Sequence, residues 1–281
     1  SSALAAVGAC AALTNVFICV ALGAGNRRMD RRTGSGVPEY PPSECPAGHY
    51  AGGADCRRTG HADDHGGHSF SLRKHKNLRE KHMKKVVLYI HGKGGCTEEA
   101  EHYRPFFHGC DVIGLDYASK TPWEAKEEFP KLLAAARQGD QPVEIIANSI
   151  GAFFAMSAFS CEKIAKAYFI SPVVDMKRLI SDMMRWGNVT EEELQCRKEI
   201  RTDFGETLSW EYLCYVREHP VMWNVPTHIL YGDQDHLTSY ETISDFAGQI
   251  GATFTVMEGG EHWFHTEEQM KFLNQWMRQY T

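Results

Sequence analysis

The sequence predicts an α/β fold in which a mostly parallel central sheet is flanked by helices. From residue 83 onward, apolar runs of strand length alternate with segments of helical periodicity, the pattern of repeated βα units. The chain has 281 residues, of which 43% are hydrophobic, and this is ample for a large core. Clear helix-start signals also separate several of the apolar runs.

Six strands are expected, near residues 86–90, 112–115, 143–147, 164–170, 227–232 and 253–257. Three helix starts carry the capping-box pattern, a threonine followed three residues later by Glu or Gln. These threonines are Thr121, Thr190 and Thr266. After Thr121 a proline also occupies the first helical position, where its missing N–H costs nothing.

A serine stands at the junction of the third expected strand and the next helix. The segment ANSIG, residues 147–151, follows an apolar run and precedes a helical segment. Small residues two positions before and after Ser149 suit a sharp turn that exposes the hydroxyl at a helix N-terminus. We therefore predict a nucleophile elbow, with Ala147 where a glycine is usual. The alternative role for Ser149 is a simple helix N-cap.

Two later segments supply the partners of an activated serine. Asp235 follows the expected strand 227–232, and His262 lies in a Gly-rich loop between the last strand and the last helix. With this order of Ser, Asp and His, each beyond a strand, the chain resembles the α/β-hydrolase superfamily and its small bacterial serine-hydrolase branch. The loop HGKGG, residues 91–95, resembles the oxyanion loop of that superfamily.

The resemblance implies a catalytic triad. His262 is expected to take the proton of Ser149, and Asp235 is expected to orient the imidazole. Asp175 is the alternative acid, because some members of the superfamily place the acid one strand earlier. Asp233 directly follows Gly232 and is expected to shape the turn.

The resemblance also implies an oxyanion hole and a reaction class. The backbone N–H groups of Lys93 and Ile150 are expected to hold the developing oxyanion, while the Lys93 side chain is expected to be solvated. We expect a carboxylesterase-like serine hydrolase that cleaves a small or medium ester through an acyl-serine intermediate. The alternatives are a thioesterase, peptidase or C–C hydrolase of the same superfamily, or a ligand-binding protein of this fold with little turnover.

The interval between the fourth and fifth expected strands is too long for a plain crossover. It has helical patterns of its own and lies where this superfamily inserts lids. We predict a short helical lid over about 177–226 that excludes water and lines an acyl pocket; the alternative is a helical excursion that only completes the core. The candidate pocket residues are Met183, Trp186, Trp210 and Trp223.

Charge and composition limit the other partners. The formal net charge is −6, with the acidic excess after residue 82, which argues against nucleic acid. The histidines lack HExxH spacing and cysteine partners, and 91–95 lacks a P-loop ending, so no metal or cofactor is expected. A small-molecule acyl substrate is the expected partner, and the sequence sets no oligomeric state.

The cysteines of the folded part are expected to be reduced, and reduced cysteines indicate a cytoplasmic protein. They are Cys96, Cys110, Cys161, Cys196 and Cys214.

Residues 1–82 are expected to be a disordered or non-native leader ahead of a hydrolase domain over 83–281. The stretch 25–82 is rich in Gly, Arg, His and Pro and has few large apolar residues. Its histidines at 61, 65, 68 and 75 are not expected to bind metal, because a flexible tract selects no geometry. The uncharged segment 3–24 is the one feature that favours a membrane anchor as the alternative location.

Overall fold

The computed structural model describes residues 84–137, 139, 141–159 and 162–281. The expectations for the leader 1–82, its histidines and the segment 3–24 lie outside the described residues, as does Cys161.

In the described part of the chain, six parallel strands form the central sheet, as the apolar runs predict. The strands in chain order are β1 (Lys85–Ile90), β2 (Cys110–Gly114), β3 (Val143–Asn148), β4 (Ile164–Ile170), β5 (Glu199–Arg201), β6 (Thr207–Ser209), β7 (Thr227–Gly232) and β8 (Thr253–Met257). The sheet has the order β2-β1-β3-β4-β7-β8, and every neighbouring pair is parallel. Strands β5 and β6 form a separate antiparallel hairpin.

Helices cover both faces of the sheet. They are α1 (Pro122–Ala136), α2 (Ile150–Ala158), α3 (Met176–Trp186), α4 (Glu191–Arg197), α5 (Trp210–Glu218), α6 (Tyr240–Ile250) and α7 (Glu267–Tyr280). The capping boxes predicted at Thr121, Thr190 and Thr266 are present and begin α1, α4 and α7. Each satisfies backbone N–H groups that the first helical turn leaves without an intrahelical partner.

Two apolar clusters lie on opposite faces of the sheet. Along β1, Val86, Leu88 and Ile90 join the first cluster, whereas Val87 and Tyr89 join the second. The alternation follows from the period of two along a strand, and burial on both faces explains why the strand is a continuous apolar run. Helices α1, α2 and α6 contribute to the first cluster, and α7 contributes to the second.

The segment between β4 and β7 contains α3, α4, the β5–β6 hairpin and α5. Its helices were expected, but the hairpin was not. Helix α5 packs against α1 through aromatic contacts, since the Trp123 ring lies 5.5 Å from that of Tyr212 and 5.0 Å from that of Tyr215. This segment, 171–226, is called the insertion below.

The strand order reverses at β1, which has β2 on one side and β3 on the other. In an open parallel sheet, the loops that leave strands on either side of such a reversal diverge and create a crevice at the carboxyl edge. The loops after β1 and β3 border this crevice. Among the described residues, no helix is long and apolar enough to cross a bilayer.

Candidate active site

Ser149 lies between β3 and α2 in an unusual backbone conformation, with φ 50° and ψ −122°. A non-glycine residue at such a φ costs about 1–3 kcal/mol and persists only where its surroundings fix it. Here β4 and the residues after it do so. The Ser149 N–H donates to the Ile170 carbonyl at 3.1 Å, and the Ser149 carbonyl accepts from the Val173 N–H at 3.0 Å.

The small residues around the serine permit close contact between two backbones. A Cβ on Gly151 would lie 2.4 Å from the carbonyl oxygen of His91, so only glycine fits there. A Cβ on Gly92 would lie 3.2 Å from the Ser149 Cβ. Ala147 is buried within the first apolar cluster, where its methyl group has space. The elbow therefore accepts alanine at its first small position.

The structure brings together the three residues predicted to form the triad. The His262 Nε2 lies 2.8 Å from the Ser149 Oγ, and the His262 Nδ1 lies 2.7 Å from the Asp235 Oδ2. A neutral imidazole that donates its Nδ1–H to Asp235 presents the Nε2 lone pair to the serine hydroxyl. This is the arrangement a general base needs.

Asp235 is only 7% exposed and is held by its own turn. Its carboxylate accepts hydrogen bonds from the Leu237 N–H at 2.8 Å, the Thr238 N–H at 3.1 Å and the Thr238 hydroxyl at 3.0 Å. Burial acts to raise the pKa of Asp235, but the charge of protonated His262 and these hydrogen bonds hold it below its ordinary value. The carboxylate is therefore ionised at neutral pH and available to the imidazole.

Asp233 and Asp175 have other contacts. The Asp233 carboxylate accepts from the Gly259 N–H at 2.7 Å and so joins the loop after β7 to the loop after β8. The exposed Asp175 carboxylate accepts from the Arg178 N–H at 2.8 Å and caps α3. The imidazole of His262 contacts Asp235, not this alternative acid.

The loop after β1 is rigidly held beside the serine. The Gly95 N–H donates to the Gly92 carbonyl at 3.1 Å and closes a turn around Lys93. The Tyr117 hydroxyl donates to the His91 carbonyl at 2.8 Å, and the two rings stack at 4.3 Å. On the other side of the serine, Ile150 is the first residue of α2, where backbone N–H groups have no intrahelical acceptor.

The side chain of Lys93 is 61% exposed and pairs with Glu206 in the loop of the β5–β6 hairpin. The expectation of a solvated lysine is therefore incomplete, because the ammonium also joins the loop 91–95 to the insertion. The sequence gives no local signal for this pair, since its members are far apart along the chain and the hairpin itself was not expected.

The four candidate pocket residues lie in different surroundings. Trp186 is 52% exposed and meets Phe204 edge-on, with ring centroids 6.3 Å apart. Met183 and Trp210 are partly buried against the first apolar cluster.

Trp223 requires a correction, because it is a core residue. It is 4% exposed, its ring packs 5.7 Å from that of Phe169, and its Nε1–H donates to Thr227 at 2.8 Å. Thr227 begins β7, whereas Asp235, which contacts His262, follows the other end of that strand. The position therefore does not fit a residue that lines a substrate pocket.

Sequence analysis missed a polar group beneath the site. The buried Tyr89 hydroxyl hydrogen-bonds both Glu99 and Asn148, the residue before the serine. The available signal was a tyrosine within the aliphatic run of β1, two residues before the loop 91–95. In the described part of the chain, no cluster of three or more His, Cys, Asp or Glu side chains is placed to hold a metal.

A strained serine, a hydrogen-bonded histidine and a buried carboxylate lie together at the carboxyl edge of the parallel sheet, an arrangement typical of serine-nucleophile sites. The chain has the α/β-hydrolase fold.

Solved structures share this fold at low sequence identity. Est1E from Butyrivibrio proteoclasticus aligns with a TM-score of 0.57 and 16% identity over 70% of this chain and 86% of its own. Est1E with ferulic acid bound aligns with a TM-score of 0.55 and 18% identity, over 70% of this chain and 87% of its own. Alpha/beta hydrolase domain-containing protein 10 from mouse aligns with a TM-score of 0.53 and 14% identity, over 71% of this chain and 92% of its own. No family model and no curated protein sequence matches the chain significantly.

Proposed function

We propose that this protein is a serine hydrolase that cleaves small or medium carboxylic esters through an acyl-serine intermediate. The observation that carries the proposal is the hydrogen-bonded line from Ser149 through His262 to Asp235, with the serine on a strained elbow. A hydroxyl that merely capped α2 would need no such base, and the Ser149 side chain makes no cap hydrogen bond.

The proposed reaction has two halves. The His262 Nε2 takes the hydroxyl proton as the Ser149 Oγ attacks the ester carbonyl, and the tetrahedral intermediate expels the alcohol, which receives that proton from the imidazolium. Water then attacks the acyl-serine with His262 again as base, releasing the acid and regenerating the serine. Asp235 stays ionised and stabilises the imidazolium in both halves.

The oxyanion formed in each half is assigned to the backbone N–H groups of Lys93 and Ile150. These two residues border the serine from the loop after β1 and from the first turn of α2. One donor of this kind typically contributes about 3 kcal/mol to lowering the barrier. The N-terminus of α2 adds a favourable dipole for the same charge.

Two reasons favour an ester. An alcohol leaves a tetrahedral intermediate more readily than an amine or a carbanion, and the solved Est1E structure holds ferulic acid. Thioesters, amides and C–C bonds share the first nucleophilic step and differ in the leaving group. A panel of p-nitrophenyl esters of increasing chain length, a feruloyl ester, an acyl thioester and an aminoacyl amide separates these classes by relative kcat/KM.

The insertion is proposed to act as a lid that roofs the site. The contact between Glu206 and Lys93 supports this role, because it places the β5–β6 hairpin beside the oxyanion loop. The aromatic pair of Trp186 and Phe204 lies on the same insertion. A roof of this kind would exclude water and select the acyl group.

Ser149→Ala tests the proposed nucleophile. We expect a loss of about 10⁴-fold or more in kcat on p-nitrophenyl butyrate and no labelling by a fluorophosphonate probe, with an unchanged melting temperature. Ser171→Ala is the matched control, since Ser171 follows β4, also has a positive φ of 43° and is not part of the triad. Unlabelled wild-type protein would instead favour a ligand-binding protein without turnover.

A further inference from the structure

A buried chain of hydrogen bonds runs beneath the site, from the residue before the nucleophile to the turn after the oxyanion loop. The side-chain amide of Asn148 donates to the Tyr89 hydroxyl at 2.8 Å, and that hydroxyl donates to the Glu99 carboxylate. Asn148 ends β3 directly before Ser149, and Glu99 lies in the 3₁₀ helix Thr97–His102 that follows the loop 91–95. The chain therefore joins the two segments between which the oxyanion is expected to sit.

Tyr89 is suited to the central position of this chain. It is 0% exposed and stacks on Tyr103 with ring centroids 5.1 Å apart, so its ring cannot move without disturbing the second apolar cluster. Burial raises its pKa well above the ordinary value, and the nearby charges of Tyr103 and Glu99 add to the increase. The phenol is therefore a neutral donor at every physiological pH, and its proton is committed to Glu99.

Glu99 lies directly against the oxyanion loop. A Cβ on Gly95 would lie 3.0 Å from the Glu99 Oε2 and 3.2 Å from the Oε1. The same Gly95 donates its N–H to the Gly92 carbonyl and closes the turn around Lys93. A displacement of the carboxylate would therefore act on the turn that carries the proposed Lys93 donor.

The helix that carries Glu99 is itself fixed to the sheet. A Cβ on Gly114 would lie only 2.2 Å from the Thr97 carbonyl oxygen, so the start of this 3₁₀ helix contacts the backbone of β2. This contact fixes the backbone that carries Glu99, and the Tyr89 hydroxyl holds its carboxylate. Strand β1 then transmits that position to β3 through the Tyr89 hydroxyl.

We propose that Glu99, Tyr89 and Asn148 are positioning residues that hold the oxyanion loop in register with the nucleophile elbow. The inference rests on the proposed hydrolase function and deepens it, since none of the three touches a reacting atom. A displacement of a donor by about 1 Å is enough to lower a rate by about 100-fold. The effect should appear in kcat and not in KM, because the oxyanion is absent from the bound ester and develops only as the serine attacks.

The central experiment is Tyr89→Phe, which removes the bridging hydroxyl and keeps the ring. We expect kcat on p-nitrophenyl butyrate to fall about 10- to 100-fold with KM within a factor of about two. Fluorophosphonate labelling should slow in parallel, because phosphonylation also places an oxygen in the oxyanion hole. The pH dependence of kcat should keep its shape, since the pair of His262 and Asp235 is untouched.

Tyr168→Phe is the matched control. Tyr168 is a buried tyrosine of β4 whose hydroxyl donates to Glu144 at 2.9 Å and to the Tyr280 carbonyl at 3.2 Å, toward the amino edge of the sheet. Both variants therefore lose a buried hydrogen bond to a glutamate and should lower the melting temperature similarly. Only Tyr89→Phe should lower kcat. If the two variants have equal kcat, the network is structural and the inference is wrong.

Glu99→Gln is the milder second variant and carries the test if Tyr89→Phe is insoluble. The amide keeps an acceptor for the Tyr89 hydroxyl, so kcat should fall less than in Tyr89→Phe. In the double variant the two losses should not multiply, because both break one chain. Multiplicative losses would show that the residues act separately and would overturn the network.

Hydrogen exchange gives a readout that does not depend on turnover. Peptides covering 91–96 and 147–151 should exchange faster in Tyr89→Phe than in the wild type, while peptides covering 164–170 should not change. A wild-type protein that neither hydrolyses esters nor reacts with the probe would refute the proposed function alone. Unchanged exchange over 91–96 would refute the positioning role.

Discussion

At the scale of single residues, the two carboxylates that follow neighbouring strands have different tasks. Asp235 is buried and contacts the imidazole, whereas Asp175 is exposed and caps α3. The difference arises because the turn after β7 directs two backbone N–H groups at Asp235, and α3 begins directly after Asp175. One carboxylate is therefore held at the imidazole, and the other caps a helix.

Asp235→Asn should lower kcat by about 10⁴-fold with little change in KM, since a neutral amide no longer stabilises the imidazolium. Asp175→Asn is the matched control and should keep kcat, because asparagine also serves as a helix cap. Steady-state kinetics of both variants on one ester measures the difference. A severe Asp175→Asn and a mild Asp235→Asn would transfer the acid role to the earlier strand.

The same carboxylate makes a prediction about stability and pH. The folded-state pKa of Asp235 lies below its ordinary value of 3.8, so its ionised form stabilises the fold above that pH. This contribution is lost as the pH falls through the folded-state pKa. The melting temperature of Asp235→Asn should therefore lie furthest below that of the wild type near neutral pH, and the gap should narrow below pH 3.8. A difference in melting temperature that stayed constant down to about pH 3, roughly one unit below the ordinary pKa, would contradict the lowered pKa of Asp235.

Local sequence context predicts the residues whose role depends on a turn, and it fails for pairs formed across the fold. Ser149 and His262 follow strands, and each lies two residues from a glycine, so their neighbours in sequence mark them. The pair of Lys93 and Glu206 depends on how the insertion folds back over the sheet. No periodicity or turn signal near either residue contains that information.

At the scale of elements, strand and helix positions follow from patterns of different strength. The buried strands are continuous apolar runs, and the expected ranges 164–170, 227–232 and 253–257 coincide with β4, β7 and β8. Strands β5 and β6 have only three residues each, which is too short for a period of two to be visible. The hairpin therefore emerges only from pairing between Ile200 and Leu208 and their neighbours.

Trp186→Ala tests whether the insertion acts as a lid. This side chain is half exposed, so its removal should leave the melting temperature nearly unchanged. If it roofs the site, relative kcat/KM along a series of acyl chain lengths should change, with each methylene worth up to about 1–3 kcal/mol.

Two further variants complete the lid test. Trp223→Phe is the core control and should lower the melting temperature without re-ranking substrates, since Trp223 is buried and hydrogen-bonded to Thr227. Trp210→Ala examines a partly buried position of the same insertion. If neither Trp186→Ala nor Trp210→Ala alters the chain-length profile, the insertion only completes the core.

At the scale of the whole molecule, the sheet order determines where the site lies. Strands β1 and β3 are neighbours at the reversal of strand order, and β7 and β8 follow on the side of β4. The loops after β1, β3, β7 and β8 therefore all emerge at one edge, where 91–95, Ser149, Asp235 and His262 meet. The alternation of strands and helices predicts a parallel sheet, but the order of its strands depends on packing between segments far apart along the chain.

The long separation along the chain between Ser149 and His262 also has a consequence for folding. Ser149 and His262 are 113 residues apart, and between them lie the insertion, β7, α6 and β8. Closing so large a loop has an entropic cost that local structure does not offset. We therefore expect the contact between Ser149 and His262 to form late in folding. Helices and most of the sheet can assemble before His262 contacts Ser149. Recovery of activity after denaturation should thus report the final docking of the β8–α7 segment, later than the recovery of helical circular dichroism.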